Sequence, residues 1–169
     1  MAPDPLRYRD IIGSFATGVA IVTCNGPDGP AGLTTNAITS LSLEPLLLLV
    51  CFDNRSRTLP AVRASGRFAV NVLRAGQEDL AAVFASKRVG REKFEAVTHE
   101  DAHGVPLLDG ALAWLACDLR ELHPAGDHTI GIGAVSHMDA DPVGEPLVFW
   151  RGEYVRCGAP VGRGPGLLP

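Results

Sequence analysis

The sequence predicts a mainly β domain, an all-β barrel with a few short helical insertions. Three observations point there. Short β-branched or apolar segments recur along the chain with turn residues between them. The strand–helix alternation that a doubly wound parallel sheet requires is missing. The last third reads as successive antiparallel strands joined by tight turns.

At 169 residues the chain is expected to form one domain, residues 1–158, followed by a flexible tail at 159–169 that lacks any helix or strand period. With 46% hydrophobic and 20% charged residues it has the composition of a soluble globular protein. A net charge of −4 argues against a nucleic-acid partner, so any anion site must be a local cluster of Arg or Lys. Met1 to Asp10 has no basic region followed by an apolar run, and the Leu46–Phe52 run is far too short to cross a bilayer. Cys24, Cys51, Cys117 and Cys157 are scattered, with no C-x-x-C pair, which suits reduced thiols in a cytoplasmic protein.

Asp4 and Pro5 open a short helix expected to run to about Phe15, Asp as cap and Pro in the first turn. Thr17 to Cys24 reads as a strand. Asn25-Gly-Pro-Asp-Gly-Pro30 supplies a hairpin turn, and a second strand starts near Ala31. Leu46 to Phe52 is a continuous apolar run, expected to be a strand buried on both faces. Ser56 to Ala64 reads as a helix with Thr58 as its cap, Pro60 in its first turn and Gly66 as its stop. Phe68 to Val72 alternates as a half-buried strand should, and Glu78 to Ser86 places Leu80, Val83 and Phe84 on one helix face. Ala111–His123, His128–Met138 and Leu147–Trp150 complete the strands. Gly131 and Gly133 share one strand face, which marks either a close approach to the backbone or a bulge at a barrel corner.

Four constellations carry candidate chemistry. Thr34, Thr35 and Asn36, with Thr39, Ser40 and Ser42, form a hydroxyl–amide cluster able to meet the polar edge of a flat heterocycle; the same residues also suit a solvated strand face. Asn54-Arg-Ser-Arg-Thr58 precedes a helix, where free amide hydrogens and two arginines make a phosphate cradle, or an ordinary cap with solvated arginines. Lys87, Arg88, Arg91 and Lys93 form a second basic group, which alone reads as a solvated face. His99-Glu-Asp-Ala-His103 spells H-E-x-x-H, a zinc signature only on a helix; Gly104, Pro106 and β-branched Val97 and Thr98 deny it one, so no metal is expected and a polar loop is. No G-x-G-x-x-G occurs, which speaks against a Rossmann site.

Taken in order, the motifs resemble the short-chain flavin reductases of two-component monooxygenase systems. They include Phe15-Ala-Thr-Gly-Val19, Gly32-Leu-Thr-Thr-Asn-Ala37, Thr39-Ser-Leu-Ser-Leu-Glu-Pro45, Ser56-Arg-Thr58 and Phe68-Ala-Val-Asn-Val-Leu73. Lys93-Phe94, Leu108-Asp-Gly-Ala-Leu112, Gly126-Asp-His128, Ile132-Gly-Ala-Val135 and Gly152-Glu-Tyr154 follow, so the likeness spans about residues 7–155. The one departure noted is Pro45-Leu46 where the family often has two prolines.

The resemblance implies an FMN-binding split β-barrel, Greek-key-like and homodimeric. It implies an NAD(P)H-dependent oxidoreductase that reduces FMN or FAD, with NADH or NADPH as co-substrate, and hands the reduced flavin to a separate monooxygenase. Carried over position by position, the flavin would be lined by Thr34, Thr35, Asn36, Ala37, Ile38, Ser40, Cys51 and Phe52, and its phosphate held by Ser56, Arg57 and Thr58. Phe84, Ala85 and Arg91 would approach it as well. His128, Trp150, Gly152 and Tyr154 would meet the nicotinamide, with His128 the one catalytic candidate, orienting that ring and not acting as a general acid. A non-catalytic flavin-binding barrel is the competing expectation.

Overall fold

In the computed structural model, which describes residues 2–95 and 97–158, a seven-stranded antiparallel sheet dominates. The expected tail at 159–169 lies outside the described residues.

The chain enters through helix α1, Pro5–Ile12, where the Asp4 carboxylate accepts from Leu6 N–H at 3.0 Å. It stops at Gly13, one turn before the expected Phe15. A two-residue strand β1, Thr17–Gly18, precedes β2, Ala20–Gly26, which turns into β3, Gly29–Thr35. Then come β4, Ile38–Leu43, and β5, Leu46–Asp53, followed by α2, Thr58–Ser65, and β6, Arg67–Val72. Two helices, α3 at Glu78–Ala85 and α4 at Gly90–Phe94, lead to a hairpin of β7, His99–Ala102, and β8, Val105–Leu108. Long strands β9, Ala113–Ala125, and β10, His128–Ala140, are joined by the Gly126–Asp127 turn, and β11, Leu147–Trp150, and β12, Glu153–Arg156, end the fold.

The large sheet runs β3-β2-β6-β9-β10-β5-β4, and a small one runs β1-β11-β12. Strands β3 and β4 sit at opposite edges, yet only Asn36 and Ala37 link them. Three Cα steps of about 3.8 Å cannot exceed about 11 Å, so the sheet must curl until its edges approach. Inside the curl lies the main core, which includes Val22, Val50, Phe52, Val62, Phe68 and Val70. Phe52 and Phe68 meet edge to face at 6.1 Å.

The paired glycines of β10 serve those two rings. A Cβ on Gly131 would fall 2.7 Å from Phe52, and one on Gly133 would fall 2.5 Å from Phe68. Both readings of the pair hold, because the register of β10 on β9 also slips between Ile132 and Gly133.

Several local expectations are corrected. Strand β5 alternates between buried and half-exposed residues instead of being sealed on both faces, because no helix packs broadly on it. Strand β6 is covered on both faces: Phe68 and Val70 face the main core, while Ala69 lies under Val105 and Leu107 of the β7–β8 hairpin. Asn71 is fully buried and satisfied, donating to Ile21 O and Thr23 Oγ1 and accepting from Leu108 N–H at 2.8 Å. The H-E-x-x-H segment, expected as a loop, pairs as β7, with His103 in the turn at φ 55°. Thr58 does not cap α2; it is buried inside the first turn, and Ser56 Oγ accepts its N–H at 3.0 Å. Gly66 does close α2 in the left-handed conformation, at φ 69°. Strand β12 lay outside the expected strands, being only four residues of mixed polarity.

No helix among the described residues is long and apolar enough to cross a membrane.

Candidate active site

Two clefts open on either side of the β3–β4 link. The smaller, about 560 Å³, lies between β3, the 53–58 turn and the α3–α4 connection. Arg55, Arg57, Lys87, Arg88 and Lys93 line it, against a single acid, Asp53. Thr34, Ser56, Thr58, Phe84 and Ala85 line it too, so five of the residues expected around a flavin do come together with Arg57. The larger cleft, about 1460 Å³, is mostly apolar and runs past α1, Phe15, Asn36–Thr39, Leu48, Leu49 and Phe149.

The hydroxyl–amide cluster is partly spent inside the chain. Thr34 donates to Ala81 O at 2.6 Å, Thr35 Oγ1 accepts from Ala37 N–H at 3.0 Å, and Asn36 Nδ2 donates to Thr17 Oγ1 at 3.1 Å. Oδ1 of Asn36 and the Thr35 hydroxyl proton have no partner among the described residues. Ala37 O accepts from Cys51 N–H at 2.9 Å, which fixes the link against β5.

Lys93 was not among the sequence-derived site residues, and it is the best-placed cation. It is 94% buried by relative exposure of 6%, and its Nζ donates to Phe84 O at 2.8 Å and Gly32 O at 3.2 Å. Burial, and then the nearby Arg57, push its pKa below the usual lysine value. No carboxylate pairs with it among the described residues. Its sequence signals were the Lys93-Phe94 motif and membership of the basic group, which alone read as a solvated face. Arg55, by contrast, is already engaged. Its guanidinium forks onto Asp53, with Nη2 3.0 Å from Oδ2, and that hydrogen bond is the main reason Asp53 is held down to about 2.

Other expected residues lie apart. The Phe52 ring is wholly buried against Phe68, so no ligand can touch it. Thr35, Cys51 and Ser40 line neither cleft, and Arg91 sits on α4 just outside the basic one. His128 begins β10 opposite Asp53, with Nδ1 2.7 Å from Asp127 Oδ1. Gly152 lines the larger cleft, while exposed Trp150 donates to Ser14 O at 3.2 Å and stacks under Arg151 at 4.6 Å. Tyr154 packs on Phe149 at 5.6 Å. His128 therefore stands at the Asp53 end of β5, and Gly152 beside Leu48 and Leu49 near the other end. One chain does not bring the expected nicotinamide residues together. Among the described residues no group of three His, Cys, Asp or Glu could hold a metal ion.

Residues 12–158 match the model of the flavin reductase like domain. The chain belongs to this family. It is 38% identical over 154 residues to the flavin-dependent monooxygenase reductase subunit HsaB of Mycobacterium tuberculosis, covering 89% of this chain and 81% of that protein. It is 40% identical to an NADH-dependent flavin reductase of a Rhodococcus species, covering 89% of this chain and 85% of the other. Among solved structures, the Streptomyces globisporus NADH:FAD oxidoreductase SgcE6 in complex with NAD and FAD fragments superposes with a TM-score of 0.88. That pair is 36% identical and covers 96% of this chain and 99% of the other. The polar β3–β4 link and the 53–58 turn before α2 are the two features of this chain around which the clefts form.

Proposed function

We propose that this chain is an NAD(P)H-dependent flavin reductase that reduces FMN or FAD and releases it to a separate monooxygenase. Membership of the family and the names of its relatives support the reaction. One observation carries the site: Thr34 lines the basic cleft while Asn36, Ala37 and Ile38 line the apolar one. A ligand lying along Thr34–Ile38 would meet five cations at one end and an apolar wall at the other, the division a flavin phosphate and its ring require.

The residues present fit that group. Lys93, Arg57, the Ser56 hydroxyl and the first amides of α2 would hold the phosphate, and Asn36 would meet the ring edge. When bound, the flavin supplies the two-electron chemistry and takes its electrons from the nicotinamide. The chain's share is to orient the two rings and screen them from water. His128, Trp150, Gly152 and Tyr154 serve the nicotinamide side. Because they are separated within one chain, the complete site needs a second copy.

A homodimer of split barrels meets that need. Helix α1 has no buried residue, and Leu6, Ile11, Ile12 and Phe15 are exposed beside the larger cleft. Leu43 and Leu46 extend the uncovered apolar surface at the β4–β5 turn. The domain comprises residues 1–158, working in the cytoplasm.

The deciding experiment follows NADH and NADPH absorbance with added FMN or FAD. Steady oxidation is the expected result. Quenching of flavin fluorescence without nicotinamide oxidation would mark a flavin-binding protein instead.

A further inference from the structure

We infer that Asn54 is a positioning residue, a clasp that holds the Gly126–His128 turn against the phosphate cradle. Three hydrogen bonds make it. Asn54 Nδ2 donates to Gly126 O at 3.2 Å, and Asn54 N–H donates to Asp127 O at 3.0 Å. Thr129, 96% buried by its relative exposure of 4%, donates its hydroxyl to Asn54 Oδ1 at 2.6 Å.

The position of the clasp gives it meaning. Asn54 directly follows Asp53, the register partner of His128. Asp53, Arg55, Ser56, Arg57 and Thr58 all line the basic cleft, so Asn54 is the residue of that turn whose side chain reaches away to the β9–β10 hairpin. A two-residue turn at the end of two thirteen-residue strands is a long lever. Residues His123, Pro124, Ala125, Gly126 and Asp127 are exposed, so the turn has little packing of its own to fix it. Asn54 ties both of its carbonyls, and Thr129 locks the Asn54 amide in the one orientation that allows this. The ring of His128 is then held at the cleft margin, with Asp127 at its Nδ1 and the Asp53–Arg55 pair beside it.

This inference rests on the flavin reductase reading for its kinetic consequence, and on geometry alone for its structural one. Two readouts separate them. In Asn54→Ala combined with Thr129→Val, which leaves no orphaned hydroxyl, the imidazole NMR signals of His128 should shift and broaden as the turn that carries the ring loosens. With FMN saturating, the KM for NADH should rise about tenfold, the scale expected when neutral hydrogen bonds that orient a group are lost. Flavin quenching should stay within about twofold, since the Ser56–Thr58 and Asp53–Arg55 contacts remain. Asn54→Asp keeps the acceptor for Thr129 and loses the donor to Gly126, so it should reproduce the KM change at near wild-type melting temperature. If the double variant melts early, Asn54→Asp carries both readouts. Unchanged His128 signals in a variant that melts like the wild type would overturn the clasp. Wild-type protein that fails to oxidise NADH would overturn the reductase reading, while the His128 signals would still decide the clasp.

Discussion

The ring of Phe84 lies flush on the backbone of Gly32: a Cβ there would sit 2.7 Å from its Cε1 atom. Gly32 O also accepts from Lys93, so one small residue seats both the ring and the cation of the basic cleft. Gly32→Ala should cost about 1–3 kcal/mol through overpacking, read by urea unfolding. It should weaken flavin quenching as well, because Phe84 must move toward the cleft that it lines.

Lys93→Met keeps the length of the side chain and removes an isolated buried charge. We expect flavin affinity to fall about tenfold or more, the worth of a charge-assisted hydrogen bond to an anion. Stability without flavin should change little or rise, because the ammonium has no carboxylate to offset its burial. A flavin titration and a thermal melt on the same preparation check both halves.

Asp53 is held to about 2, first by its side-chain hydrogen bond to Arg55. A carboxylate depressed in the fold stabilises above its unfolded pKa near about 3.9 and loses that contribution as pH falls toward the folded value. Wild type should therefore exceed Asp53→Asn in stability at neutral pH, and the gap should close between about pH 4 and about pH 2. Both side chains are open to water, so the gap is small. Urea unfolding at the two ends of that window measures it.

Burial pushes the Cys24 and Cys117 thiols up to about 12. Cys157 is exposed. A thiol reagent at about pH 8 should label Cys157 first, leaving Cys24 and Cys117 intact until denaturant is added. Mass spectrometry of the labelled peptides gives the order.

The uncovered face of α1 offers a fifth test. Ile11→Asp with Phe15→Asp should shift the protein to a single chain in sedimentation, with little loss of monomer stability, since neither side chain is buried. On the homodimer proposed above, nicotinamide oxidation should fall in the same variant.

Much of this architecture could be read from the residues because its signals are local. Asp4-Pro5 opens α1, Gly66 closes α2, and the turn residues at 25–30 and 124–127 fix two hairpins. The turn before α2 was legible for the same reason, although the N-cap position falls at Arg57, one residue before the expected Thr58. What stayed hidden depends on distant chain segments. Lys93 is buried because α4 folds onto β3, so no local charge or hydropathy pattern shows its burial. Phe52 follows the apolar run into the core because Gly131, far along the chain, leaves room for its ring. The coverage of β6, and the bareness of β5, turn on where the β7–β8 hairpin lands.

The crowding of cations into the smaller cleft also shapes how the molecule meets small anions in solution. Of fifteen Lys and Arg, five line that cleft, leaving ten elsewhere; of nineteen Asp and Glu, one lines it, leaving eighteen. Among the described residues, the smaller cleft is thus a cationic mouth on an acidic body. Such a charge distribution favours the approach of phosphates at that cleft over the acidic remainder. Added salt should slow their capture while leaving their departure, set by short-range contacts, nearly untouched.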